Sequence, residues 1–257
     1  NGPARIADGC RIEAHAQIVG DVRIGQGSVI GRAAVIGDTP QDLSFAPSTE
    51  SGVIIGEKNV IREHVTIHRS SKPGCFTTIG DGNFLMVGCH LGHDVTVGNK
   101  NIIANAALFA GHVHLGNHTF VGGGSVFHQF IRIGDYCMFQ GNSSFGNDVP
   151  HYCAGFRTNL LAGLNVIGLR RAGFTSDERA EIKRLFTLLY HSGRNLAQAI
   201  GVAREERVGG EEDVGLRYFV EAIVSVRSVE GQDLEIGGEA GEFVAPIGEH
   251  AGGGGHE

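Results

Sequence analysis

No run of apolar residues in this chain is long enough to cross a bilayer as a helix, and its first residues carry no basic-then-apolar leader. Cysteine is sparse and scattered, at positions 10, 75, 89, 137 and 153, with no C-x-x-C pair to build a zinc or redox motif. Reduced thiols are therefore expected, and with them a cytoplasmic location. Positive charge is also short. Lys and Arg number 21 against 28 Asp and Glu, and a formal charge of −7 argues against non-specific nucleic-acid binding. No Walker or dinucleotide-type glycine motif opens a helix. Glycine itself is plentiful, at 41 of 257 residues, but it lacks a G-X-Y period. That excludes collagen and favours a turn-dense solenoid.

What the chain does have is an interval of six. Ile6, Ile12, Ile18, Ile24, Ile30 and Ile36 keep it strictly, and it resumes at Ile55, Ile61 and Ile67. From Ile79 it runs through Leu85, Leu91, Val97, Ile103, Phe109, Leu115, Val121, Phe127, Ile133, Phe139 and Phe145. Helices repeat every 3.6 residues and strands every two, so neither explains it. Short strands joined by tight turns do, each sending one large residue inward. The fold class expected is mainly β: a left-handed parallel β-helix of hexapeptide repeats with a C-terminal α-helical segment. Three units make one triangular coil, so residues 18 apart should stack at about 4.8 Å.

The expected organisation is a β-helix domain over 1–153, a helical domain over 154–228 and a tail without regular structure over 229–257. Inserted loops are expected at about 38–52, where the interval slips, and 69–77, where Pro73 takes an apolar slot. Thr175-Ser176-Asp177-Glu178 reads as a helix start, with Ile182, Leu185, Phe186 and Leu189 at helical spacing and Gly193 as a stop. Short helices are expected over Leu196–Val202 and Val214–Val226. A three-sided prism with open faces is expected to pair with copies of itself as a homotrimer.

The 13 histidines crowd into the middle coils, most densely at His90-Leu91-Gly92-His93-Asp94. A His beside an Asp can be held in one tautomer and made more basic. The stacking interval sets Gly111 one coil above His93 and His112 one coil above Asp94. A base close to a backbone N–H is the minimum equipment for acyl transfer, since an acceptor hydroxyl can attack directly. His93 could equally be a polar outer-face residue. Gamma-class carbonic anhydrases share hexapeptide repeats and bind zinc through a His-x4-His pair. No two histidines here are five apart, so no metal or other cofactor is expected.

Several segments together resemble one family. They are Gln41-Asp42-Leu43, Ile61-Arg62-Glu63-His64-Val65-Thr66-Ile67-His68-Arg69, His90 to Asp94, Ala110-Gly111-His112-Val113, Phe127-His128-Gln129-Phe130, Asp148-Val149-Pro150 and Gly168-Leu169-Arg170-Arg171-Ala172-Gly173-Phe174. In this order, over about residues 3–228, they resemble the UDP-N-acetylglucosamine 3-O-acyltransferases, which open lipid A biosynthesis. The resemblance implies that His93 is the general base, Asp94 its supporting acid and Gly111 the oxyanion donor. It implies that Asp42, His68, His90, His112, His128 and Gln129 line the substrate groove. By the same resemblance Asn165 and Arg171 contact the nucleotide, and Gly141 sets acyl length with room for a longer chain. The implied donor is a 3-hydroxyacyl group on acyl carrier protein, an acidic partner for which Arg179, Lys183 and Arg184 are candidate docking charges.

The chain departs from the family pattern at Ser44 (usually Lys), at Phe156-Arg157 (usually Gly-Asn) and at Ala172 (usually Arg). All lie on the substrate side. They leave two further readings open: the same fold acylating a 3-amino UDP-sugar to give an amide, and a non-catalytic trimer that binds carrier protein or sugar nucleotide.

Overall fold

A large apolar residue at every sixth position leaves room for strands of only two to four residues between turns, and such strands form throughout. The computed structural model describes residues 2–205 and 235–236. The strands, parallel throughout the solenoid, stack into three sheets of seven, ten and seven described strands, one on each side of a triangular prism. The first face runs from Arg5–Ile6 through Thr96–Val97 to Arg132–Ile133, the second from Arg11–Ile12 through Ile102–Ile103 to Met138–Phe139, and the third from Gln17–Ile18 through His90–Leu91 to Ser144–Phe145. In the regular coils partners lie 18 apart, as in Ile79↔Val97, Leu85↔Ile103 and Leu91↔Phe109. This is a left-handed β-helix of hexapeptide repeats, as the six-residue interval predicts.

The inward residues form one continuous core. Ile30, Ile61, Leu85, Ile103 and Phe139 are wholly buried, and Phe109 stacks on Phe127 at 4.7 Å between ring centroids. In the first described coil Ile6 and Ile12 are 45% and 39% exposed. Buried polar groups inside the prism are satisfied in ladders. Asn59, Asn83 and Asn101 each accept the backbone N–H one coil on, and their amides donate to Gly80, Gly98 and Gly116 carbonyls. Each corner turns through a left-handed residue. Asp94, His112 and Phe130 hold one corner at φ of +61°, +62° and +70°. Non-glycine residues resist this region, so the coil stack supplies the energy that keeps them there.

Two insertions break the interval. Residues 39–51 leave the coil between Val35–Asp38 and Gly52–Ile55, and residues 69–75 leave it between Thr66–His68 and Phe76–Ile79. The strands on either side re-enter register, with Ile24↔Ile55 and Ile55↔Ile79 paired.

Beyond Phe145 the second sheet continues with Cys153–Phe156, the antiparallel Leu160–Leu164 and the parallel Glu235–Ile236. Among the described residues three helices follow the solenoid: α1 (Val166–Arg171), α2 (Ser176–Tyr190) and α3 (Leu196–Glu205). The expected start of α2 forms a full capping box, in which Thr175 and Glu178 satisfy one another's backbone N–H. Its buried face is Ile182, Leu185, Phe186 and Leu189, and Gly193 lies just beyond its end at φ +70°. Helix α1 carries no periodic signal, because six residues are too few to show one. The expected helix at Val214–Val226 and, apart from 235–236, the tail from 229 lie outside the described residues.

Candidate active site

At the corner joining the third face to the first, Leu91 and Val95 are buried, which turns His93 and Asp94 outward between them. His93 Nδ1 lies 2.8 Å from Asp94 Oδ2. Asp94 is held from the second insertion: Ser70 donates to Oδ1, while the Ser71 hydroxyl and backbone N–H donate to Oδ2 at 2.7 and 3.1 Å. Burial pushes the Asp94 carboxyl up, but the hydrogen bonds from Ser70, Ser71 and His93 outweigh it and hold its pKa at about 2. A carboxylate this firmly ionised keeps the shared proton on His93 Nδ1 and leaves Nε2 as the basic nitrogen.

That ring packs against Gly111. A Cβ on Gly111 would come 2.6 Å from both Cε1 and Nε2 of His93, so only glycine fits against the ring. The Gly111 N–H has no acceptor among the described residues. The contrast with another corner is direct. There the equivalent N–H groups of Glu57, Asp81, Asn99 and Asn117 are each capped by an Asp or Asn one coil on. The His93 corner therefore offers a base and an unspent donor side by side.

Around this pair stand further histidines. His112 packs edge-on to His93 at 5.0 Å, with its Nε2 3.7 Å from Asp94 Oδ2. His68 and His90 pack edge-on at 4.9 Å, and Thr66 Oγ1 meets His90 Nδ1 at 2.8 Å. Burial, then the neighbouring His68 and His93, lower His90 to about 4; burial likewise lowers His68 and His112. All three shifts favour the neutral ring, so the histidines beside His93 add no positive charge to it at pH 7. His68 Nδ1 is buried and has no hydrogen-bond partner among the described residues.

The first insertion brings Asp42 within electrostatic reach of His93. The Ser44 N–H and hydroxyl both donate to Asp42 Oδ1 at 2.8 Å, and those bonds lower its pKa. Ser44, where the family pattern has Lys, thus orients the neighbouring carboxylate. His128 and Gln129 stand exposed one coil beyond Ala110 and Gly111, on the same edge. Lys72, Ser70 and Ser71 are site residues that sequence reasoning did not pick out; the Lys72 charge reaches His112 and helps to lower it.

The remaining candidates lie on other edges. Gly141 is at the corner between the second and third faces, where a Cβ would sit 3.1 Å from Gly123 O. Asn165 caps α1 by accepting the Gly168 N–H at 3.0 Å and donates to Tyr136 O at 2.9 Å, beside the corner between the first and second faces. Arg171 is exposed at the end of α1, and Phe156 is buried in the capping sheet. Among the docking charges, Arg184 pairs with Glu181 at 2.7 Å and Arg179 donates to Phe174 O.

Residues 148–229 match the family model for UDP N-acetylglucosamine O-acyltransferase domain 2, and residues 3–38 match that for bacterial transferase hexapeptide repeats. The acyl-[acyl-carrier-protein]–UDP-N-acetylglucosamine O-acyltransferase of Thermodesulfovibrio yellowstonii is 41% identical over 221 residues, covering 85% of each chain. This chain belongs to the UDP-N-acetylglucosamine O-acyltransferase family. The enzyme of that name from Syntrophobacter fumaroxidans is 40% identical over 80% of this chain and 81% of its own. Two solved members superpose closely. LpxA from Acinetobacter baumannii has a TM-score of 0.81 at 32% identity, covering 88% of this chain and 94% of that one. LpxA from Bacteroides fragilis has a TM-score of 0.78 at 34% identity, covering 88% and 86%. As a UDP-N-acetylglucosamine O-acyltransferase family member, the protein is an acyltransferase, and no helix among the described residues is long and apolar enough to cross a membrane.

Proposed function

We propose that this acyltransferase moves a 3-hydroxyacyl group from acyl carrier protein to the 3-hydroxyl of UDP-N-acetylglucosamine, the first step of lipid A biosynthesis, with His93 as general base. The observation that carries this reading is the His93 imidazole packed against Gly111, whose N–H has no acceptor among the described residues. His93 Nε2 takes the proton of the sugar hydroxyl as its oxygen attacks the thioester carbonyl. The tetrahedral oxyanion accepts the Gly111 N–H, and its collapse expels the pantetheine thiolate, which recovers the proton from His93. Asp94, ionised and fixed by Ser70 and Ser71, stabilises the transient imidazolium. Asp42, His68, His90, His112, His128 and Gln129 line the groove, Asn165 and Arg171 serve the nucleotide, and the open edge at Gly141 receives the acyl tail. Lys183 is the docking charge we assign to the carrier protein.

His93, Asp94 and His112 are also the one group among the described residues that could hold a metal ion, with ligand atoms within 4.8 Å of one another. Asp94 is a poor donor for one, because Oδ2 already accepts from His93 and twice from Ser71. Initial rates should therefore survive a chelator. They should also fall steeply when the carrier-protein thioester is replaced by a coenzyme A thioester, or the sugar by its 3-amino analogue. Equal rates with the amino sugar would favour the amide reading, and no transfer to either would sink the proposal.

The working unit is a trimer. His93, Gly141 and Asn165 lie on three different edges of the prism, so no single chain brings them together, whereas copies packed face to face can. The faces flanking the Gly141 edge expose Ile102 (41%), Phe120 (42%), Leu108 (42%) and Val126 (38%), apolar area that a neighbour would cover. Light scattering is expected to give the mass of three chains. Phe120→Asp is expected to give single chains without activity; an active monomer would contradict the shared site.

A further inference from the structure

The two insertions are laced into one unit. Ser51 Oγ donates to Ser70 O at 2.5 Å, Gly74 N–H to Glu50 O at 2.8 Å and Gly52 N–H to Cys75 O at 3.2 Å. One side chain reaches further out than these roots. Arg69 Nη1 donates to Thr49 O at 3.0 Å and Nη2 to Pro47 O at 3.1 Å, while its guanidinium lies over the Phe45 ring at 5.1 Å. Apart from those anchors the loop is open: Asp42 and Ser44 are exposed, and Leu43 is fully so, whereas Phe45 and Thr49 are half-buried. The Arg69 backbone N–H is itself fixed to Asp38 O at 3.0 Å, at the root of the same loop.

We infer that Arg69 is a positioning residue, a latch that holds the first insertion so that Asp42 faces His93. The inference rests on the substrate role proposed for Asp42. Arg69 sits between His68 and the Ser70–Ser71 pair that grips Asp94, so one short segment fixes both carboxylates relative to the base. A guanidinium is required. Its planar fork meets two carbonyls while its face covers an aromatic ring, a combination that a Lys ammonium cannot reproduce. Loops carry such groups at an entropic cost, and a pre-set loop spends less of the substrate's binding energy on ordering.

The test is a double-mutant cycle with hydrogen exchange on the full-length protein. Arg69→Ala should speed exchange in peptides covering 39–51 while leaving the solenoid coils protected. It should raise KM for the sugar nucleotide about tenfold with a smaller change in kcat, and Arg69→Lys should not rescue it. Asp42→Asn combined with Arg69→Ala should cost no more than Asp42→Asn alone. Unchanged exchange in the loop, or losses that multiply, would overturn the inference. Should Asp42→Asn by itself cost nothing, the role of Asp42 fails and the latch loses its catalytic purpose, while the exchange data still report whether Arg69 orders the loop.

Discussion

Replacing His93 with alanine is expected to lower kcat by about 10²- to 10⁴-fold, the range in which a positioned general base contributes. The Michaelis constants should move little, because His93 acts on the proton in flight rather than on the bound ground state. The substitution removes a partly buried outer-face ring whose neighbours Asp94, Gly111 and His112 are not inward core residues, so the β-helix should keep its thermal midpoint. Asp94→Asn should give a smaller loss, since the amide keeps a place in the Ser70–Ser71 pocket but cannot stabilise an imidazolium. Wild-type turnover in His93→Ala would return this histidine to the status of a polar outer-face residue.

Gly111→Ala is the second large effect. The added methyl would come 2.6 Å from His93 Cε1 and Nε2, so the imidazole must swing away. Its neighbour in that clash is the end of a side chain rather than backbone, and Gly111 is not in the left-handed region, so the fold itself should tolerate alanine. A displacement of about 1 Å at the reacting atoms is worth roughly 10²-fold in rate, and the same methyl narrows access to the N–H that would hold the oxyanion. The expected result is a folded trimer with at least that loss in kcat. Retained activity would mean that neither the ring position nor the Gly111 N–H matters to the reaction.

The coil architecture was legible because every coil repeats one local pattern, and each inward residue from Ile79 to Phe145 announces itself. The same regularity carried the register from His93 to Gly111, since no insertion intervenes between them. The Asp94 clamp was hidden for the opposite reason. Residues 69–75 add length between Ile67 and Leu91, which pair directly, and that shift brings Ser70 and Ser71 alongside Asp94. Pro73 in an apolar slot marked the break but not how far it moved the chain. Asn165 exposes a second limit: the motif match gave it a ligand role, and the cap that its amide also forms belongs to a helix too short to leave a sequence signal. The division of the candidate site among three edges leaves no mark in the six-residue interval; it is the proposed trimer that would bring those edges together.

The most direct test of the account is the product itself. Purified protein is incubated with UDP-N-acetylglucosamine and 3-hydroxyacyl carrier proteins of graded length, and the sugar nucleotide is examined by mass and by the position of the new ester. The account predicts a species heavier by one hydroxyacyl group, esterified at the 3-hydroxyl and missing from the His93→Ala reaction. An unmodified sugar with every donor, or the same ester formed at full rate without His93, would contradict it.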